Sequence, residues 1–188
     1  MATSANSCGY VDIQNVVASS AVDCEIDLDQ LSTDLPGSQF NPDQFPGIVY
    51  RKTDPKAAVL IYRTGKLVST GSNSLDDAQY TLTAVVDELV DLGVTFDHQD
   101  PVDIINIVTS GELCDRLNLH ALAIGLGLEN IEYEPEQFPG LIYKPQEVDV
   151  AILLFGSGKL VITGGQTTEQ IDRGFEHVRD KIDSLGML

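Results

Sequence analysis

The chain has 188 residues, of which 11 are Lys or Arg and 29 are Asp or Glu, so its net charge is −18 at pH 7. The length suggests one domain or two small ones, the 43% of hydrophobic residues supplies a core, and no stretch is long and apolar enough to span a membrane. The charge argues against nucleic acid or an anionic membrane as a partner, and the spacing of Cys8, Cys24 and Cys114 supports neither a disulfide framework nor a zinc site, so we expect a cytoplasmic protein without a metal or cofactor.

The first half of the chain alternates between strand and helix patterns. Residues 11–19 are rich in β-branched side chains and predict a strand, and leucines spaced by three and four predict a short helix over 27–35. A loop with the sequence Gln-Phe-Pro-Gly follows. Three more strands are then predicted, the last two joined by a tight hairpin, at about 47–53, 57–62 and 66–71.

Each half closes with a long amphipathic helix. Ser74 with Asp77 resembles a capping box and predicts the start of the first of these helices, and Gly93 predicts its end. In the second half, Thr167 and Gly186 stand at the corresponding places. We therefore predict an α+β fold in which each half is one antiparallel sheet with helices on one face.

The two halves are copies of one another. Residues 42–71 and 135–164 align without a gap at a shift of 93, with 14 identical positions among 30. Farther upstream the shift is 91, which matches Asn15-Val-Val-Ala-Ser with Asn106-Ile-Val-Thr-Ser. We divide the chain into a flexible N-terminus and two repeats, with bounds 1–10, 11–98 and 99–188.

One face of the predicted sheet has no helix to cover it. Strand residues 57–62 and 151–155 are apolar on both faces, whereas a sheet with one solvated face alternates between polar and apolar residues. An exposed apolar surface of this kind marks a binding site, or else the two halves pack sheet against sheet. Periodicity alone leaves both possibilities open.

These motifs resemble the core of the TATA-box-binding protein family. The resemblance covers residues 11–188 and rests on the duplicated Gln-Phe-Pro-Gly, Gly-Lys-Leu-Val-x-Thr-Gly and Asn-x-Val sequences. It implies a pseudo-symmetric saddle, with a ten-stranded curved antiparallel sheet and helices on the convex face. It also implies a general transcription initiation factor that binds the minor groove of TATA-box promoter DNA, bends it, and recruits transcription factor B and, indirectly, RNA polymerase. The acidic composition resembles that of family members from salt-loving archaea.

The resemblance assigns four aromatic residues as wedges that enter base steps and kink the duplex. They are Phe45, Tyr62, Phe138 and Phe155. Tyr62 departs from the family pattern, which has phenylalanine there, and its hydroxyl needs a polar partner. From the residues alone, packing in a core or turn remains an alternative role for each.

The resemblance also assigns residues that contact the bases. Asn15 and Asn106 lie in predicted strands, where asparagine is depleted, and an amide can donate to the A N3 and T O2 acceptors of the minor groove. A β-bulge is the structural alternative for such residues. Thr70 and Thr163 add hydroxyl donors nearby. An apolar floor is expected from Val17, Val68, Val108, Val161, Leu60 and Leu153.

Basic residues recur at matched positions in the two copies. The family uses such positions on phosphates, which orient the protein but do not specify sequence. The expected phosphate contacts are Arg51, Arg63, Lys66, Lys144, Lys159 and Ser157. Asp43 and Gln44 replace basic family residues, which weakens the contacts expected of the first half.

The loop before Phe138 resembles the family's docking site for transcription factor B. Its candidate contacts are Glu134, Glu136 and Gln137, with a solvated acidic loop as the alternative. No catalytic constellation recurs in both halves, so we predict that the protein is not an enzyme. A protein-interaction or ligand-binding scaffold that uses the apolar sheet face remains the alternative function.

The acidic residues are not evenly spread. Strand segments 57–62, 66–71, 151–155 and 159–164, which the resemblance turns toward DNA, contain no Asp or Glu. We therefore expect the acidic residues to form a shell suited to a high-salt cytoplasm, which repels DNA at low salt.

Overall fold

The computed structural model describes residues 9–113 and 115–188, and these form ten strands and four α-helices. The strands are Tyr10–Ala21 (β1), Ser38–Phe40 (β2), Gly47–Thr53 (β3), Lys56–Tyr62 (β4), Lys66–Ser72 (β5), Asp103–Glu112 (β6), Ile131–Glu132 (β7), Gly140–Tyr143 (β8), Ala151–Phe155 (β9) and Lys159–Gly165 (β10). The helices are Leu28–Asp34 (α1), Leu75–Asp91 (α2), Leu119–Gly125 (α3) and Thr168–Ser184 (α4), with a short 3-10 helix at Leu128–Asn130.

The predicted α+β class and ten-stranded antiparallel sheet are confirmed. The strand order is β2-β3-β4-β5-β1-β6-β10-β9-β8-β7. The described residues divide into two compact units, one of residues 14–106 and one of residues 107–188 with residues 9–13. The units do not coincide with the sequence copies, because the first four residues of β1 belong with the second copy. The repeat bounds 11–98 and 99–188 stay a prediction.

Helix α2 covers one face of the sheet in the unit of residues 14–106. It packs on β4 and β5 through a stripe of fully buried residues spaced by three and four, namely Ala78, Leu82, Val85 and Leu89. Ser74 begins the helix by accepting a hydrogen bond from the Asp77 N–H. Leu92 also fits this spacing, but it lies at the C-cap and is 37% exposed.

Helix α4 has the same place in the other unit. Its buried side includes Ile171, Phe175 and Val178, and it packs on β10. Thr167 and Gln170 form a complete capping box, as their spacing predicted. The same local signals therefore produce the same helix-on-sheet layer twice.

The patterns missed the two edge strands, β2 and β7. These strands have three and two residues and lie at the ends of the sheet order. Strands this short carry no periodicity of their own. Of the predicted flexible segment 1–10, residues 1–8 lie outside the described residues, while Tyr10 already begins β1. In the described residues no helix is long and apolar enough to cross a membrane.

Candidate nucleic-acid interface

Each unit has one sheet face under its helices and one face without a helix, which we call the open face. Along β1, Val16 and Ala18 are fully buried, whereas Asn15 and Val17, which alternate with them, are half-exposed. The same alternation follows in the other central strands, because successive side chains of a strand point to opposite faces. Every residue predicted to contact bases lies at a half-exposed position.

In the unit of residues 14–106, the predicted apolar floor is continuous across neighbouring strands. Leu60 is directly opposite Val68 on β5 and opposite Val49 on β3. Val68 is in turn opposite Ser19 on β1, the residue that shares its face with Val17. Aliphatic side chains thus cover this part of the open face.

The other unit builds the same floor from its own strands. Leu153 is opposite Val161 on β10 and Ile142 on β8. Val161 is opposite Ser110 on β6, which shares its face with Val108. The duplication in the sequence is therefore a duplication of the open face, residue by residue.

Phe45 and Tyr62 form an aromatic pair at one end of the first floor. Their ring centroids are 5.6 Å apart, with the rings tilted at 60°. Both rings lie against Gly47, since a Cβ added there would meet Phe45 at 3.0 Å and Tyr62 at 3.4 Å. Tyr62 makes no side-chain hydrogen bond among the described residues, so its hydroxyl is available to a partner.

Phe138 and Phe155 form the matching pair in the other unit. Their centroids are 5.9 Å apart at 67°, and Phe138 is 36% exposed. A Cβ added at Gly140 would meet Phe138 at 2.7 Å and Phe155 at 3.0 Å. The absent side chain of this glycine is what lets both rings lie together at the edge of the floor.

Asn15 is held by a bulge in the neighbouring strand. The register between β1 and β5 shifts between Val16 and Ala18, and Gly71 at this point has a φ of 95°. The Gly71 N–H donates to Asn15 Oδ1 at 2.6 Å, and Asn15 Nδ2 lies 3.2 Å from Thr70 Oγ1. The bulge that was the structural alternative for Asn15 is thus present, and it fixes which end of the amide is the donor.

An equivalent irregularity interrupts β10. Its register against β6 shifts between Ile162 and Gly165, and Gly164 has a φ of 98°. Thr163 lies within this shift and is half-buried. Asn106 is half-buried on β6 at the position that matches Asn15. Both copies therefore combine a bulge glycine with an amide-bearing strand.

The predicted phosphate contacts are all exposed, but two of them already have carboxylate partners. Lys144 Nζ is 2.7 Å from Glu132 Oε1, and Arg63 is 3.9 Å from Asp29. Arg51, Lys66 and Lys159 have no ion pair among the described residues, and Ser157 accepts a long hydrogen bond of 3.4 Å from the Lys159 N–H.

Lys52, next to Arg51 on β3, turns to the helix-covered side. It forms an ion pair with Glu88 of α2, and its side chain is only 17% exposed. The hydrogen bond to Glu88 raises the pKa of Lys52. Strand alternation thus separates a structural cation from its exposed neighbour.

Glu134, Glu136 and Gln137, the residues that resemble a docking site for transcription factor B, lie in an exposed turn. The backbone closes this turn with a hydrogen bond of 2.9 Å from the Gln137 N–H to the Glu134 carbonyl. The Gln137 side-chain amide also donates to the Glu134 carboxylate. The turn leads directly into Phe138.

Sequence reasoning missed the glycines that shape this face. Gly47 and Gly140 support the aromatic pairs, and Gly71 and Gly164 form the bulges. All four belong to motifs that occur twice, so their signal was the repetition of a glycine where a strand is otherwise expected. Among the described residues, no group of three His, Cys, Asp or Glu side chains is arranged to hold a metal ion.

Comparison with known proteins accounts for both copies of this face. The family model described as "Transcription factor TFIID (or TATA-binding protein, TBP)" matches residues 10–92 and 101–185. This chain belongs to the TATA-binding protein family. All the predicted contact residues named above lie within the two matched segments.

Relatives in the family match along nearly their whole lengths. TATA-box-binding protein 2 of Haloferax volcanii is 54% identical over 178 residues, covering 95% of this chain and 96% of the relative. TATA-box-binding protein B of Halobacterium salinarum is 53% identical with the same coverage. The solved structure of Methanococcus jannaschii TBP superposes with a TM-score of 0.81 at 38% identity, covering 93% of this chain and 98% of that one. The resemblance to family members from salt-loving archaea is confirmed.

Proposed function

We propose that this chain is a transcription initiation factor that binds the minor groove of TATA-box promoter DNA and bends it. The observation that carries the proposal is the open face. In each unit, an uncharged aliphatic floor ends at a pair of aromatic rings supported by a glycine. Family membership and the names of the relatives agree with this role.

The aromatic pairs are the proposed source of the bend. Phe45 and Tyr62, and likewise Phe138 and Phe155, enter base steps from the minor groove and unstack them. The glycine next to each pair has no side chain, which leaves room for the two rings to lie together and enter the groove as a unit. Tyr62 does the same work as a phenylalanine if its hydroxyl reaches a polar group at the rim of the groove.

Asn15 and Asn106 are proposed to read the bases. Because the Gly71 N–H is a donor, Asn15 must turn its oxygen toward it, which leaves Nδ2 as the end that can face DNA. The minor groove of an A·T pair presents only the acceptors A N3 and T O2, so a fixed donor favours A·T over G·C pairs. Thr70 and Thr163 supply hydroxyl donors beside the amides.

Phosphate contacts by Arg51, Arg63, Lys66, Lys144 and Lys159, with Ser157, position the protein without specifying sequence. We propose that the acidic residues elsewhere oppose binding at low salt, so that affinity rises from low to molar KCl. Apolar burial and groove deformation, which salt does not screen, then carry the binding.

Recruitment of transcription factor B, and of RNA polymerase through it, is proposed to use the exposed turn before Phe138. Glu134, Glu136 and Gln137 present two carboxylates and an amide to solvent, which suits a partner surface that carries basic and hydrogen-bonding groups. The turn continues into the second aromatic pair, so the partner meets protein next to bent DNA.

The proposal is tested with a fluorescent TATA-box duplex and a duplex in which the A·T pairs are replaced by G·C pairs. We expect a band shift with the TATA duplex in molar KCl, a weaker shift at low KCl, and little binding to the G·C duplex. If no shift occurs at any salt concentration, DNA binding is refuted, and the protein-interaction or ligand-binding scaffold becomes the better explanation of the apolar face. Affinity that falls steadily with salt refutes the role given to the acidic residues.

Asn15→Asp sharpens the test because a carboxylate still accepts the Gly71 hydrogen bond but can donate none to DNA. We expect the variant to fold and to lose TATA binding. Asn73→Asp is the matched control with the same charge change, since Asn73 is exposed and directly precedes Ser74, the N-cap of α2. Equal affinity for both variants refutes the base-reading role of Asn15.

A further inference from the structure

Two backbone hydrogen bonds fix the β4–β5 hairpin to the segment that follows β1. The Val22 N–H donates to the Gly65 carbonyl at 3.0 Å, and the Ile26 N–H donates to the Arg63 carbonyl at 2.8 Å. Arg63 is the first residue after the wedge residue Tyr62, and its side chain is 56% exposed. An exposed arginine therefore directly follows the wedge residue Tyr62, in a hairpin whose backbone is fixed by hydrogen bonds.

The β9–β10 hairpin is fixed in the same way. The Leu113 N–H donates to the Gly158 carbonyl at 2.9 Å, and the Leu117 N–H donates to the Gly156 carbonyl at 3.2 Å. The repeat shifts of 91 and 93 relate these bonds one to one to those of the first hairpin. Gly156 is therefore at the position equivalent to Arg63, and Arg116 is at the position equivalent to Glu25.

The two copies carry their arginine on different sides of this hydrogen-bonded contact. In the first copy the hairpin carries Arg63 and the adjoining segment carries Glu25, whereas in the second copy the hairpin carries Gly156 and the adjoining segment carries Arg116. Arg116 immediately precedes Leu117, whose N–H is bonded to the residue after the wedge Phe155. One arginine therefore lies at each hairpin.

The surroundings of Arg116 leave its charge available. Arg116 is exposed, and no ion pair to it is found in residues 9–113 and 115–188. The acidic partner of Arg63 is Asp29, and the repeat places His120 at the corresponding position. The other two cations near the open face of this unit each have an acidic neighbour. Lys144 pairs with Glu132, and Lys159 is directly opposite Glu112 on β6.

We propose that Arg116 contacts a DNA phosphate next to the base step entered by Phe155, as the counterpart of Arg63. The proposal rests on the DNA-binding function and adds a contact that the repeat pattern does not mark, because the arginine occupies the other side of the hydrogen-bonded bridge. The planar guanidinium forms two parallel hydrogen bonds to a phosphate, which makes arginine well suited to this position.

Arg116→Gln tests the contact through the salt dependence of the Kd for the TATA duplex. Each phosphate contact adds about 0.9 to the slope of log Kd against log [KCl]. The variant should therefore have a slope lower by about 0.9 than the wild-type chain, whether the wild-type slope is positive or negative. At low salt we expect affinity to fall about two- to fivefold. Arg173→Gln, an exposed arginine of α4, is the control with the same charge change.

Gly156→Arg in the Arg116→Gln background provides the rescue. A Cβ at Gly156 meets only the Leu117 carbonyl oxygen, at 3.7 Å, so the hairpin accepts a side chain. We expect the double variant to recover the slope, because it places the cation where the first copy has Arg63. An unchanged slope in Arg116→Gln, or the same change in Arg173→Gln, overturns the proposal, whereas a wild-type chain that binds no duplex overturns the DNA-binding function itself.

Discussion

The ion pair between Lys144 and Glu132 gives a quantitative prediction about DNA affinity. If Lys144 contacts a phosphate, it must first leave Glu132, from which it is 2.7 Å away. The two side chains are 58% and 64% exposed, so the pair is worth about 0.2–1 kcal/mol, as is usual at a surface. Glu132→Gln removes this competition, and the Kd for the TATA duplex should fall by a factor of about 1.4–5 at low salt.

The effect should vanish as salt rises, because the screening length falls from about 10 Å at 0.1 M to about 3 Å at 1 M ionic strength. Fluorescence anisotropy of a labelled TATA duplex at these two KCl concentrations measures the change. Glu176→Gln is the matched control, because it removes the same charge from an exposed position on α4. A gain that persists in the Lys144→Gln background, or that Glu176→Gln reproduces, refutes the competition between Glu132 and phosphate.

Three further changes have defined outcomes. Phe155→Ala removes one ring of the second aromatic pair. It should clearly reduce the end-to-end fluorescence transfer of a bound, doubly labelled duplex while changing the Tm of the protein little, and unchanged transfer refutes the wedge role. Asn106→Asp turns a carboxylate toward base acceptors and should abolish binding in the band-shift assay, so retained affinity counts against its base contact. Thr81 is fully buried and its hydroxyl has no hydrogen-bond partner among the described residues, so Thr81→Val should stabilise the protein by about 1 kcal/mol in urea unfolding at fixed KCl, and a loss of stability contradicts that account.

The open face was predictable because it follows from local rules. Alternation along a strand decides that Leu60 and Tyr62 share one face while Val59 and Ile61 share the other, and the structure has this arrangement. The internal repeat identified the functional motifs, because residues that recur in both copies are not there by chance, and these motifs indicated the family. The helix caps at Ser74 and Thr167 were predictable for the same reason, as their partners lie within four residues.

The net charge illustrates the limit of composition. A charge of −18 argued against nucleic acid, although strand segments 57–62, 66–71, 151–155 and 159–164 contain no acidic residue. A sum over the chain carries no information about which face bears the charge. The position of the acidic residues along the chain does carry that information. Strand alternation adds to it, because it explains why Lys52 pairs with Glu88 while Arg51 faces solvent.

Sequence by itself determined the duplicated α+β fold, the family, and which residues share the open face. Only the tertiary structure decided that Asn15 accepts a hydrogen bond from Gly71, that Lys144 is paired with Glu132, and that the short strands β2 and β7 complete the sheet. It also decided that Leu117, the residue after Arg116, is hydrogen-bonded to Gly156, the residue after Phe155. Each of these depends on a partner that lies elsewhere in the chain, at a distance set by strand register and by bulges. Periodicity reports how a segment meets its surroundings on average, whereas a hydrogen bond or an ion pair requires two particular groups within about 3 Å of each other.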